Sequence, residues 1–128
     1  MINVLLVALG GAIGASARYG VSLALPARDG WPWATFAVNV SGSLAIGLLA
    51  GWLATRAATA EPWRLLLGVG VLGGFTTFSA YSLETLRLIE RGDVAGAAAY
   101  AIGTVIAGLA AVAVGGALGF ALAKRVLG

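Results

Sequence analysis

The side chains of this chain that could do chemistry are hydroxyls, amides and aromatic rings, and they are densest in residues 73–82, which read GGFTTFSAYS. Two adjacent glycines weaken a helix, and the hydroxyls of Thr76, Thr77 and Ser79 compete for backbone hydrogen bonds. The run lies inside a long apolar segment, where freed backbone groups are tolerated only if they face protein, water or an ion. These residues therefore predict a helix break within residues 73–79 that serves as an ion site.

A second polar row lies upstream, where Thr35, Asn39 and Ser43 follow the spacing i, i+4 and i+8 on one helical face. An amide inside a membrane is costly unless it has a partner, so Asn39 is predicted to face a neighbouring helix or an aqueous path. Packing between helices is the competing interpretation. Tyr100 and Thr104 repeat the pattern more weakly in the last apolar segment.

Two ionisable residues, Arg18 and Glu84, lie within apolar segments. Arg18 is close enough to the end of its helix to extend its charge to the interface, or it supplies positive potential that draws anions to a vestibule. Glu84 indicates a proton or cation role, or a hydrogen-bonded partner for nearby hydroxyls. Phe78 and Tyr81, spaced i, i+3 after the break, project to similar sides of the helix, where packing is the commoner role of such a pair.

The candidate lining offers groups for ions of both signs. Amide N–H and hydroxyl O–H groups donate to an anion, and the edge of an aromatic ring is electropositive. Such donors could strip water from a small anion without holding it too tightly, which is the balance that conduction requires. Backbone carbonyls freed at residues 73–77 would suit a cation instead.

The elements that position these residues are membrane helices. Of the 128 residues, 60% are hydrophobic and only 10% are charged, whereas a soluble domain carries about 25% charged residues. With no histidine or cysteine, the chain lacks the usual ligands for zinc, haem or an iron–sulfur cluster. The net charge of +3 comes from scattered basic residues, which argues against nucleic acid as a partner.

Breaks in hydropathy predict four spans near residues 2–25, 31–54, 63–90 and 94–123. Each is long enough to cross about 30 Å of hydrocarbon. The first is not a cleaved signal, because no basic residue precedes its apolar run. We therefore predict an all-α, multi-pass membrane protein with a single domain over residues 1–128. No length remains for a soluble catalytic domain, so the chain is predicted not to be an enzyme.

The basic residues divide evenly across the predicted membrane. The side of the termini holds Arg56, Arg64, Lys124 and Arg125, and the other side holds Arg18, Arg28, Arg87 and Arg91. This four-to-four split gives no preferred orientation under the positive-inside rule. Either a weaker cue orients the chain, or copies insert both ways and pair head to tail as an antiparallel, dual-topology homodimer.

Glycines recur at four-residue spacing, a pattern that lets helices approach closely in lipid. The pairs are Gly10/Gly14, Gly47/Gly51, Gly70/Gly74 and Gly115/Gly119. Packing within one chain accounts for most of them. Four spans nevertheless leave little interior for a permeation path, which favours a path shared between subunits.

Three motifs, taken in order, resemble the Fluc (CrcB) fluoride channels over essentially the full length of the chain. They are GGAIGASARY at residues 10–19, TFAVNVSG at 35–42 and GGFTTFS at 73–79. The resemblance implies a passive, fluoride-selective channel in the inner or plasma membrane of a prokaryotic cell, built as an antiparallel homodimer with two pores. It also implies a structural sodium ion at the dimer centre, held by main-chain carbonyls of Gly73 and Thr76 and not transported.

The same resemblance assigns a fluoride path to particular side chains. These are the pore asparagine Asn39, the aromatic pair Phe78 and Tyr81, the polar track Tyr100 and Thr104, and the vestibule arginine Arg18, with Glu84 added as a hydrogen-bond partner near the path. Two positions depart from the family pattern. Tyr81 replaces a phenylalanine and adds a hydroxyl, and Gly108 shortens the polar track where some members carry a serine.

Two other interpretations fit a chain of this size. Small dual-topology exporters of the multidrug or guanidinium type share the charge balance, but they depend on a carboxylate in the first helix, and residues 2–25 contain no Asp or Glu. A non-conducting assembly subunit would explain the glycine faces but not an amide, an arginine and a helix break together. No P-loop is present to power a pump.

Overall fold

The structure is a computed structural model that describes residues 1–27, 30–56 and 60–127. Four helical segments of this part of the chain are long and apolar enough to cross a membrane. The first span is α1 (Ile2–Ala24), the second is α2 (Trp33–Leu53), and the fourth is α6 (Val94–Leu127). The prediction of an all-helical, four-span membrane protein is confirmed, with helix ends that differ from the predicted bounds by a few residues.

The third span, Ala60–Glu90, is assembled from several helical pieces. The pieces are α3 (Ala60–Trp63), the π-helix π1 (Arg64–Leu72), α4 (Gly73–Phe75) and α5 (Phe78–Glu90). In the π-helix the N–H of Gly73 reaches back five residues to the carbonyl of Gly68. The sequence did not predict this π-helix.

The break itself is confirmed, but it is narrower than the predicted residues 73–79. Only Thr76 and Thr77 leave the helical region, with ψ of 156° at Thr76 and φ of −150° at Thr77. Gly73 and Gly74 remain helical. The two threonines therefore make the break, whereas Gly74 before it allows close packing against α1.

The spans pack in two tight pairs, α1 with π1 and α4, and α2 with α6. A Cβ atom on Gly14 would overlap the carbonyl oxygen of Val71 and lie 2.8 Å from the backbone nitrogen of Phe75. A Cβ on Gly47 would lie 2.9 Å from the nitrogen of Gly116. All four predicted glycine pairs meet backbone of this same chain, so their spacing by itself gives no support to an oligomer.

This packing predicts a position-specific cost for enlarging a glycine of α1. Gly14→Ala is expected to destabilise the chain by about 3 kcal/mol, because overpacking costs roughly 1–3 kcal/mol and backbone atoms cannot move aside as a side chain can. Gly11→Ala is the matched control, since a Cβ there meets nothing within 4 Å. Thermal unfolding in detergent measures both, and equal melting temperatures for the two variants would contradict the assigned helix contact.

The remaining core lies between α5 and α6 at the end of the bundle that holds the start of α2. Leu88, Ala97 and Tyr100 are buried there, with Trp31 and Phe36 packed against them. The turn between α5 and α6 contains Gly92, whose φ of +84° favours glycine. This cluster fixes the position of α5 beyond the break.

Candidate permeation site

Asn39 bonds the break of the third span through both the oxygen and the nitrogen of its side-chain amide. Its Oδ1 accepts the N–H of Thr77 at 2.8 Å, and its Nδ2 donates to the carbonyl of Thr77 at 3.0 Å. The first of these bonds replaces the helical partner that the Thr77 N–H loses at the break. The predicted partner of Asn39 is therefore a backbone peptide of the break, which the pattern of side chains alone could not identify.

The same rearrangement leaves the four carbonyls of residues 73–76 without their helical partners. In a continuous helix the N–H of Thr77 would bond the carbonyl of Gly73, but it bonds Asn39 instead. The N–H of Ala80, which would bond the carbonyl of Thr76, donates to the hydroxyl of Thr77 at 3.2 Å. Gly73 and Thr76 are thus among the residues whose carbonyls the break releases.

A cavity of about 370 Å³ lies beside the break. Asn39, Ser43, Gly73, Thr76 and Phe78 are among the residues that line it. The cavity therefore brings the predicted amide, one predicted aromatic ring and both predicted sodium-binding residues to one place.

The side chain of Arg18 contacts the break. Its Nε donates to the carbonyl of Gly74 at 3.2 Å, and the side chain is half-buried. A cation at the carboxyl end of a helix is favourable, because the unpaired carbonyls there carry partial negative charge. Arg18 thereby stabilises the end of α4, a role that the predicted vestibule position did not include.

An aromatic row leads away from the cavity along α5 and α6. The ring centroids of Phe78 and Tyr81 are 5.6 Å apart, and those of Tyr81 and Tyr100 are 5.4 Å apart. The hydroxyl of Tyr81 donates to the carbonyl of Ala101 at 2.9 Å, which directs it away from Phe78 and towards α6. Phe78 is 78% exposed, so one chain leaves the start of this row uncovered.

A buried polar chain continues beyond the aromatic row. Glu84 accepts one hydrogen bond from Thr35 and one from Tyr100, each 2.8 Å long and each on a different carboxylate oxygen. Thr104 stands apart from this chain, because its hydroxyl donates to the carbonyl of Tyr100 in its own helix at 2.6 Å. Its role in a permeation path stays a prediction, as does that of Glu84.

The predicted residues thus fall into two groups. Asn39, Phe78 and Ser43 surround the cavity, and Thr35, Glu84 and Tyr100 form the polar chain, with Tyr81 between them. Gly108 is opposite Ser43, whose Oγ lies 3.4 Å from where a Cβ would stand. Sequence reasoning gave Thr77 no place among the site residues, although threonine is a preferred N-cap residue and Thr77 directly precedes α5.

No group of three or more histidine, cysteine, aspartate or glutamate residues forms a metal site within residues 1–27, 30–56 and 60–127. A cation at the break would need oxygen ligands from the backbone. The freed carbonyls of Gly73 and Thr76 are neutral oxygens of the kind that hard cations prefer.

The geometry of Tyr81 predicts a mild variant. Tyr81→Phe removes one hydrogen bond to a carbonyl and keeps the ring that faces Phe78, so it is expected to cost about 1 kcal/mol of stability. Anion efflux from vesicles is expected to stay within about twofold of the parent, because the hydroxyl points away from the cavity. A large loss of efflux with normal stability would place that hydroxyl in the path.

The fold and the site together define a four-span membrane protein with a broken third span. The sequence matches the family described as "CrcB-like protein, Camphor Resistance (CrcB)" over residues 5–116. The chain therefore belongs to the CrcB family, and the resemblance inferred from the three motifs is confirmed.

Several curated relatives are similar over most of their length. "Fluoride-specific ion channel FluC" from Phenylobacterium zucineum (strain HLK1) is 53% identical over 98% of both chains. The protein of that name from Methylobacterium sp. (strain 4-46) is 53% identical over 89% of this chain and 93% of its own. A third, from Novosphingobium aromaticivorans, is 56% identical over 80% of this chain and 84% of its own. These relatives are named as ion channels, so the prediction that the chain is not an enzyme is confirmed.

Proposed function

We propose that this protein is a passive, fluoride-selective channel of the inner or plasma membrane of a prokaryotic cell. One observation carries the proposal, namely a helix break whose peptide is held by Asn39 next to an aromatic ring and a cavity. The curated relatives at about half identity, which are named as fluoride-specific channels, support the choice of ion.

The path begins at the cavity beside the break and follows the aromatic row to the buried polar chain. The edges of Phe78 and Tyr81 are electropositive and would supply the contacts to the anion along this row. Each contact with a dehydrating anion is weak, which suits conduction because an ion must leave each position as readily as it enters.

The physiological role follows from acid–base chemistry. Hydrogen fluoride is a neutral weak acid that crosses membranes from acidic surroundings and dissociates in a neutral cytoplasm. The anion is then trapped, and an inside-negative potential drives it outward with about 2.3 kcal/mol per charge per 100 mV. A passive pore is therefore sufficient for export and for resistance to fluoride.

The functional unit of the proposal is an antiparallel homodimer. The even split of basic residues supports it, although Arg28 lies outside the described residues. Phe78, which stands exposed at the start of the aromatic row, and the cavity beside it would be covered by a second copy. With two copies related by a two-fold axis, each pore would receive residues from both.

The proposal also includes a structural sodium ion at the dimer axis. When bound, sodium would neutralise the partial negative charge of freed carbonyls, two from each copy. Gly73 and Thr76 fit this role, because the helical partners of both carbonyls are diverted to Asn39 and to the hydroxyl of Thr77.

Fluoride efflux from reconstituted vesicles, followed with a fluoride electrode, tests the function. The parent protein is expected to release fluoride at the rate set by the potassium diffusion potential and to retain chloride, and Phe78→Ile is expected to slow the release about tenfold. An assembly subunit would release nothing. An exporter would move a guanidinium or drug cation in exchange for protons that flow down their gradient, and it would leave fluoride inside.

The dual topology gives a separate prediction. Reporters fused to the carboxyl terminus of a functional protein are expected to appear on both sides of the membrane in similar amounts, because the charge split gives no bias. Adding three lysines after Arg125 supplies the matched control, since it should drive that terminus to the cytoplasm. A single location for the unmodified chain would contradict the antiparallel dimer.

A further inference from the structure

A second cavity, of about 220 Å³, lies at the end of the bundle where the polar chain ends. It is bounded by the end of α1, the start of α2 and the last turns of α5, and it shares no residue with the cavity beside the break. Trp33 and Leu88 form apolar wall, while Thr35, Glu84 and Arg87 contribute polar groups. Arg91 completes the lining.

Among the described residues that line this cavity, two carry a positive charge, Arg87 and Arg91, and one carries a negative charge, Glu84. Both oxygens of Glu84 accept hydrogen bonds from neutral hydroxyl groups, at 2.8 Å from Thr35 and 2.8 Å from Tyr100. Neither Arg87 nor Arg91 forms an ion pair with an acidic residue in the described part of the chain. Within that part, the two guanidinium groups line the cavity beside a carboxylate that already accepts two hydrogen bonds.

The backbone next to the cavity accommodates one of these arginines. Gly30 has a φ of +80°, and a Cβ atom on it would stand 2.7 Å from a terminal guanidinium nitrogen of Arg91. A side chain at this position would displace that guanidinium. Glycine at position 30 thus serves two purposes. It permits the turn that precedes α2, and it leaves room for the guanidinium of Arg91 at the cavity wall.

We propose that Arg87 and Arg91 form a cationic mouth that collects small aqueous anions for the permeation path at its Glu84 end. This inference rests on the proposed function. Thr35 and Glu84 belong both to the cavity and to the buried polar chain, so an anion in the cavity is already at the entrance of that chain. Arg18, the residue that the sequence predicted at a mouth, donates a hydrogen bond to the carbonyl of Gly74 at the break and does not line this cavity.

The size of the cavity favours a small hydrated ion over a lipid headgroup. About seven waters would fill 220 Å³ at roughly 30 Å³ each, enough for a halide with part of its hydration shell. Pockets for drug-sized ligands begin at about 300 Å³. Both arginine side chains are largely exposed to water, so an anion reaches them without prior dehydration.

A cationic mouth changes the rate of permeation in a way that depends on ionic strength. Clefts lined by one sign of charge raise the local concentration of the opposite ion and accelerate its capture. The Debye length falls from about 30 Å at 0.01 M salt to about 3 Å at 1 M, so concentrated salt removes the effect. In a passive path, resistance at one mouth limits flux in both directions, and mixed orientations in vesicles therefore do not hide it.

The test compares fluoride efflux from vesicles of zwitterionic lipid at about 10 mM and about 1 M ionic strength, with an impermeant salt added to both sides. The double variant Arg87→Gln/Arg91→Gln is expected to be about tenfold slower than the parent at low ionic strength, the lower end of what charged clefts achieve. At high ionic strength the two rates are expected to agree within about twofold. Arg87→Lys/Arg91→Lys keeps both charges and is expected to match the parent at both.

The matched control is Lys124→Gln/Arg125→Gln, which removes two positive charges from the last turn of α6, outside the lining of the cavity. Its efflux is expected to equal that of the parent at low ionic strength. A deficit of the arginine variant that persists in concentrated salt would overturn the proposal, because structural damage is not screened. A deficit that appears only with anionic lipid would also overturn it and assign the arginines to lipid phosphate. Failure of the parent itself to release fluoride would refute the channel function, whereas equal rates for all variants would refute the mouth alone.

Discussion

Asn39→Ala is expected to reduce fluoride efflux about 30-fold or more. The substitution removes both hydrogen bonds that hold Thr77 and leaves its N–H unpaired within the third span. An unsatisfied buried N–H costs about 1–3 kcal/mol and the second lost bond about 1 kcal/mol, so about 2 kcal/mol or more of preference for the conducting geometry is lost. Every 1.4 kcal/mol corresponds to a factor of ten. Electrode-monitored efflux from vesicles measures the change.

Two variants separate the amide bridge from a general loss of polarity. Ser43→Ala removes a polar group from the same cavity and the same helical face, but no bond to the break, and efflux is expected to stay close to that of the parent. Asn39→Asp keeps the acceptor for the Thr77 N–H, but it loses the donor and adds a negative charge that repels an anion, so its efflux should not exceed that of Asn39→Ala. Parent-like efflux in Asn39→Ala, with the protein correctly assembled, would remove Asn39 from the mechanism.

The position of the break illustrates how far the sequence could be used. A polar interruption in an apolar span indicates that backbone groups there need hydrogen-bond partners outside the helix. The hydroxyl residues indicated the right stretch, but glycine was given a role that belongs to Thr76 and Thr77. Gly74 stays helical and packs closely against α1. A side chain would prevent this contact, because a Cβ on Gly74 would lie 3.0 Å from the Cα of Gly11.

The π-helix had no signal in the sequence. It differs from an α-helix by less than one residue per turn, and residues 64–72 are almost entirely apolar or glycine. Such a segment has no polar face whose phase would reveal the change. The segment packs closely against glycines of α1. Such tertiary contacts cannot be recognised from the residue pattern of one helix.

Partners of polar side chains were the least predictable feature. The spacing of Thr35 and Asn39 correctly indicated one face, yet Thr35 bonds Glu84 whereas Asn39 bonds Thr77. Arg18 was expected at a vestibule, and its bond to Gly74 depends on how closely α1 approaches α4. Each partner lies 38 to 56 residues away in sequence, so it is set by the crossing of helices and not by local spacing.

Removal of sodium is expected to abolish fluoride efflux altogether. The proposed ion neutralises carbonyls of Gly73 and Thr76 from two copies, which would otherwise face one another unpaired across the dimer axis. Unlike a lost side-chain bond, this loss affects both subunits and both pores at once, so no partial activity is expected. The measurement is efflux after purification and reconstitution with sodium replaced by a large organic cation on both sides of the membrane.

The controls distinguish a structural ion from a transported one. Returning sodium equally to both sides is expected to restore efflux, and imposing a sodium gradient in either direction is expected to leave the rate unchanged. Thr76→Ser keeps the backbone carbonyl as well as a hydroxyl able to donate to Leu72, a bond of 2.9 Å in the parent, so its sodium requirement should match. Efflux that follows the sodium gradient would instead show coupled transport. Full efflux without sodium would contradict a cation at the break and would mean that water satisfies the released carbonyls.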